Sequence, residues 1–306
     1  MSVLLGSLLA AFGACAPAAA HDGPQHVIDE LTLQMASSGQ TAARLYQRAC
    51  EYRTLGKLDR AERDLRQALA RDPKHRAAQI ELAQVLLAAG QHTAAIAVVD
   101  RALRQVATPS ELPPLRMIRC DALLAAGEAQ QALAECRLAC RANPTEVEWL
   151  LRRSQLEAQL GLHIERIAEL AAAVKQHASG VLHIEWIDAL LDAGRAGEAL
   201  APIEVELADS RLQSSWLIRR ARARQMLGKP AEAAADLRLA IAEINQRIYP
   251  ARPDLSLVAD RGLAHALAGE FSSAERDLHA AQARHAEPWM LWRLEGVLAV
   301  RSGGEN

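Results

Sequence analysis

The sequence predicts an all-α fold, a solenoid of about seven helix–turn–helix repeats closed by a C-terminal capping helix. Three observations carry this expectation. Turn glycines recur at Gly56, Gly90, Gly127, Gly161, Gly194, Gly228 and Gly269, with gaps of 34, 37, 34, 33, 34 and 41 residues. Apolar residues keep helical spacing on both sides of each glycine. Small side chains recur at fixed distances from it, where two helices must approach closely.

Seven residues before each glycine stand Ala49, Ala83, Cys120, Ser154, Ile187, Ala221 and Gly262. Five after it stand Ala61, Ala95, Ala132, Arg166, Ala199, Ala233 and Ala274. Twelve after it stand Ala68, Ala102, Ala139, Ala173, Glu206, Ala240 and Ala281. A charge pattern overlies this one. Eight before the glycine, five repeats carry Arg48, Arg119, Arg153, Arg220 and Arg261; eight after it, the same five carry Asp64, Glu135, Glu169, Asp236 and Asp277. The two repeats without the arginine have Leu82 with Val98 and Trp186 with Pro202, so they lack the acid as well. Positions equidistant from an antiparallel turn lie opposite each other. The pattern predicts an Arg–carboxylate staple inside five repeats, which a half-buried arginine requires for its donors.

The stretch LYQRACEYRTLGKLDRAERDLRQALARDP, residues 45–73, shows the plan in full: two short helices folded back at Gly56, with Asp72-Pro73 as the stop. Here, and again over residues 113–144, the chain resembles the tetratricopeptide repeat family, and the resemblance covers about residues 42–287. It implies a right-handed superhelical array. The family's aromatic positions are mostly filled by Leu, Ile or Val, in keeping with 3% aromatic residues overall.

Taken in order, residues 1–20 read as a signal peptide. Val3 to Ala14 is apolar but too short to span a bilayer, and Ala18-Ala19-Ala20 fits a cleavage site before His21. The n-region has no Lys or Arg, and Cys15 offers a rival site for a lipid anchor. A secreted or periplasmic mature chain is expected, with no other stretch apolar enough to cross a membrane. Residues 21–41 form a lead-in, with a helix at Val27–Met35 covering the first repeat. The array follows over residues 42–287, with longer junctions at Thr108–Pro114 and Asn245–Asp254. Pro202 falls inside a second helix and predicts a local bend in repeat five, not a domain boundary. Residues 288–306 form a capping helix and tail, which an array needs because its last repeat would otherwise expose an apolar face.

Half of the residues are apolar, enough for a continuous core, and the net charge of −2 offers no basic stripe for nucleic acid. Beyond Cys15 the cysteines are Cys50, Cys120, Cys136 and Cys140; a Cys120–Cys136 bridge is conceivable, with small buried thiols as the default. No HExxH, phosphate-cradling glycine loop or GxSxG occurs, and no cofactor, metal or catalytic residue is expected.

The resemblance implies that the first helices of successive repeats line a groove, at positions ten, six and three before each glycine. Candidate peptide-binding residues on or beside these positions are Tyr46, Arg53, Gln84, Asp121, Gln155, Glu185, Asp188, Arg219 and Arg222. Apolar entries alternate with single polar ones, which suits an extended peptide or a partner helix. The charges of repeats five and six either set specificity or balance each other within the array. No Lys or Asn stands at these positions, so a clamp for an acidic tail is not supported. The expected function is a non-enzymatic protein–protein interaction scaffold of the cell envelope. The alternative is an enzyme or carbohydrate-binding protein that uses the groove as a substrate cleft.

Overall fold

A computed structural model describes residues 23–106, 112–177 and 179–304. The leader and Cys15 lie outside these residues, as does much of the Thr108–Pro114 junction. Every element is helical among the described residues. The chain forms two compact units that divide between Gly161 and Leu162. The first contains α1 (Pro24–Ser38), α2 (Ala42–Thr54), α3 (Leu58–Arg71), α4 (Arg76–Ala88), α5 (His92–Leu103), α6 (Leu112–Ala125), α7 (Ala129–Ala142) and α8 (Val147–Gln159). The second contains α9 (His163–Gln176), α10 (Gly180–Asp192), α11 (Ala196–Asp209), α12 (Ser214–Met226), α13 (Pro230–Arg247), α14 (Leu255–Leu267), α15 (Phe271–Gln282) and α16 (Pro288–Gly304).

Each turn glycine ends a first helix. At Gly56 φ is +70°, the left-handed region that a Cβ disfavours, and its counterparts lie between +71° and +80°. Lys57 N–H then donates back to Tyr52 C=O at 2.8 Å, so the helix end is satisfied before α3 begins. The small positions are where the helices meet. Ala61, Ala95, Ala132, Ala199, Ala233 and Ala274 are all completely buried. The fourth repeat, where the units divide, holds Arg166 at that position instead.

The sequence reading needs adjustment at two points, the lead-in helix and the later junction. Leu33, on the apolar side of the expected lead-in helix, is 72% exposed; Ile28, Leu31 and Met35 make the buried face of α1. The junction Asn245–Asp254 is shorter than expected because α13 continues to Arg247, with Ile244 fully buried. α11 runs through Pro202 from Ala196 to Asp209. At the position where other repeats have alanine, Glu206 meets His183 Nδ1 on α10.

Four of the arginines eight before the glycine hold their acids. Arg48 Nε lies 2.7 Å from Asp64, Arg119 Nη1 2.7 Å from Glu135, Arg220 Nη2 2.7 Å from Asp236, and Arg261 Nη2 2.6 Å from Asp277. Arg153 and Glu169 belong to different units; within its own unit Arg153 Nε stands 3.9 Å from Glu157. Each of the four also reaches backward. Arg48 donates to Thr32, Arg220 to Glu204 and Arg261 to Asn245, each sixteen residues upstream, and Arg119 donates to Asp100. The staple therefore joins a repeat to the element before it as well as closing its own turn.

The four described cysteines are buried and form no disulfide. Cys120 and Cys136 Sγ atoms are 3.4 Å apart, a contact and not a bond.

Candidate partner-binding face

First helices neighbour one another within each unit: α2 meets α4 and α4 meets α6; α10 meets α12 and α12 meets α14. Side chains pointing away from the second helices therefore form a continuous face. In the first unit this face carries Tyr46, half-buried and tilted against His75 with ring centroids 5.2 Å apart. Arg53 pairs with Glu81, and Asp121 with Arg152. Gln84 is half-buried and Gln155 exposed. Burial raises the Asp121 carboxyl above its ordinary range, with Arg152 opposing the shift.

In the second unit Asp188, assigned by sequence to the groove lining, is only 1% exposed and lies under three guanidinium groups. Arg219 Nη2 and Arg293 Nη2 both lie 2.8 Å from Asp188 Oδ2, and Arg222 Nη1 is 3.4 Å from Oδ1. Arg222 also reaches Asp192 at 3.2 Å, and Arg166 bridges Asp192 at 3.2 Å and Glu185 at 2.8 Å. The charges of repeats five and six bind each other, one of the two alternatives the sequence leaves open. Burial opposes ionisation of Asp188, but Arg219, Arg293 and Arg222 outweigh it and hold the carboxyl below its ordinary range. Asp260 has no ion pair among the described residues. Burial and the nearby Asp188 and Asp254 raise its carboxyl, against Arg219 and Arg293.

Sequence reasoning raised mutual balance for the charges of repeats five and six but missed the rule behind it, an acid paired with an arginine on the next first helix. Asp121–Arg152 and Asp188–Arg219 are both separated by 31 residues, three short of the 34-residue spacing between most turns. That offset was readable. Arg293, which comes from the last helix, follows no repeat rule.

Above Arg222 and Asp192 lies a cavity of about 370 Å³, walled otherwise by Leu263, Trp292, Arg293, Gly296, Val297 and Val300. Its lining is largely apolar, with charge at one side. Among the described residues no cluster of His, Cys, Asp and Glu is placed to hold a metal ion, and no helix is long and apolar enough to cross a membrane.

A profile of the tetratricopeptide repeat family matches residues 46–110. No curated protein matches the chain significantly. Among solved structures, a tetratricopeptide repeat protein from Parabacteroides merdae ATCC 43184 is 19% identical with a TM-score of 0.56, over 84% of this chain and 98% of that one. YrrB, a TPR protein with an unusual peptide-binding site, is 15% identical with a TM-score of 0.45, over 68% of this chain and 97% of its own. A thermophilic TPR protein in Thermus thermophilus is 22% identical with a TM-score of 0.37, over 60% of this chain and 99% of its own. Residues 46–110 are thus tetratricopeptide repeats, and the helical solenoid around them has the fold of that family.

Proposed function

We propose that the protein is a non-enzymatic scaffold of the cell envelope that holds a peptide segment or a partner helix on its first-helix face. The fold is one of protein–protein interaction scaffolds in general. The observation that carries the finer reading is the lining of the first unit. Tyr46, Leu87 and Leu124 are half-buried apolar side chains, interspersed with half-buried Gln84 and exposed Gln155. Apolar grip with sparse polar direction suits a protein segment. The cross-repeat pairs Arg53–Glu81 and Asp121–Arg152 hold neighbouring first helices in register beneath it.

A photocrosslinking amino acid at Gln155 tests this, with the exposed Gln67 of the second helix α3 as control. The expected result is an adduct from position 155 that is absent at 67, its partner then rebinding as purified protein. Adducts only from 67, or equal from both, would move binding off the first-helix face. The envelope assignment rests on the leader reading, and an N-terminal sequence of the mature chain starting at His21 would support it.

A further inference from the structure

The last helix departs from the plan of the repeats. A cap continuing the array would lie mainly against the second helix before it, as α14 lies against α13. Instead α16 packs mainly on α14, a first helix, and less on α15. Its Leu294 enters the space left by Gly262, where a Cβ would come within 2.6 Å of Leu294 Cδ2. Its Arg293 reaches Asp188 on α10. Asp188, Arg222 and Leu263 stand at one equivalent position, six before the glycine, in repeats five, six and seven. α16 therefore crosses three repeats along the floor on which the family fold would place a ligand.

The seat fits the helix imperfectly. The cavity of about 370 Å³ remains between Trp292, Val297 and Val300 on one side and Arg222 and Leu263 on the other. Trp292 is 48% and Val300 79% exposed. The ionic contact is also redundant. Arg219 and Arg222 hold Asp188 without Arg293, and Arg219 shares the same carboxylate oxygen with it. Burial and the two neighbouring guanidiniums disfavour the charge on Arg293. Departure of α16 would thus relieve crowded positive charge and leave Asp188 paired.

We infer that α16 is an exchangeable occupant of the first-helix face of repeats five to seven, and that a partner's amphipathic helix of the same pattern takes its place. This rests on the scaffold reading and names the partner's chemistry. The displacing helix carries an arginine at i with aliphatic residues at i+4 and i+7, as Arg293, Val297 and Val300 do, and leucines on the adjoining stripe in place of Leu291 and Leu294. The arginine meets Asp188, and the aliphatic residues line the cavity as Val297 and Val300 do.

The test uses the full chain and a fluorescent peptide of residues 288–304. Arg293→Glu loosens the resident helix by setting it against Asp188. The peptide is expected to bind this variant about tenfold more tightly than wild type, as when a site open about a tenth of the time becomes open throughout. A peptide with its arginine changed to glutamate is expected to lose that binding. Hydrogen exchange across residues 290–300 is expected to quicken in the variant while α14 stays protected. Equal peptide binding to both chains, or no binding despite quickened exchange, would overturn the proposal. If Arg293→Glu does not fold, Val297→Asp carries the same comparison; if neither folds, α16 is structural and exchange is excluded. Crosslinking at Gln155 in the first unit is independent, so its persistence would retain the scaffold reading when exchange fails.

Discussion

Arg48 grips Asp64 through two parallel bonds, Nε to Oδ2 at 2.7 Å and Nη2 to Oδ1 at 2.8 Å. The same fork joins Arg220 to Asp236 and Arg261 to Asp277. A guanidinium matched to a carboxylate in this way is strong and directional. The acids are almost fully buried and the arginines mostly so. Removing the acid alone strands a buried cation. Asp64→Ala is expected to cost about 3 kcal/mol in urea unfolding, while the double replacement Arg48→Leu, Asp64→Leu should recover most of it. A loss below about 0.5 kcal/mol for the single variant would mean that the pair does not hold the turn.

Two carboxylates of one cluster should respond to pH with opposite sign. Asp188 titrates lower in the folded protein than in the unfolded chain, where an aspartate has a pKa near 3.9. Its ionised form therefore adds stability above about pH 4, and that contribution fades as pH falls below it. Asp188→Asn should lower Tm at pH 7 and converge with wild type in acid. Asp260 titrates higher when folded, so its penalty is absent in acid and grows as pH rises through the folded value. Asp260→Asn should raise Tm at pH 7 and match wild type near pH 3. Thermal melts of both variants across pH 3–7 check the pair of signs.

The turn before α16 has His285 at φ +58°, where the seven repeat turns have glycine. Ala286 N–H donates to Ala281 C=O at 3.0 Å, so the turn has the same form with an ill-suited residue. His285→Gly should stabilise by about 0.5–1 kcal/mol, and Gly90→Ala should lose about 1 kcal/mol. Chemical denaturation of the two variants measures both.

Gly262 has a different role from the turn glycines, since its φ is ordinary and its surroundings are full. A Cβ there would stand 2.6 Å from Leu294 Cδ2 and 3.1 Å from Asp277 Cβ. Gly262→Ala should destabilise by about 1–3 kcal/mol through overpacking, with the loss of exchange protection concentrated in α16. Uniform loss across α10–α15 would place the strain elsewhere.

The turns and the close helix contacts were legible because each needs one kind of residue. Glycine suits the backbone at Gly56 best, and a small side chain fits best at Ala61, so both recur visibly. The staples were legible for a related reason, since Arg48 and Asp64 mirror each other about the glycine. Their backward reach to Thr32 was hidden because the partner's chemistry varies: a hydroxyl there, a carboxylate at Glu204, an amide at Asn245. The contact of Arg293 with Asp188 was unreadable, because it depends on where one helix outside the repeat comes to lie. Burial favours one of the two readings of Asp188, internal balance. An acid at a groove position looks available in sequence until neighbouring arginines are seen to enclose it.

The two-sided grip of Arg220 bears on how such a chain can grow or shrink. Its partners, Glu204 and Asp236, lie sixteen residues to either side and belong to successive helix pairs. Excising α10 and α11 as a pair would put Ala171 at the position Glu204 holds relative to the preceding glycine, and the arginine would lose one hand. Duplication or loss of repeats is thus not neutral to where the cut falls. A copied segment keeps both bonds only when it carries the arginine together with the second helices on both sides of it, so the unit that preserves the contacts is three helices long, one more than the turns mark out.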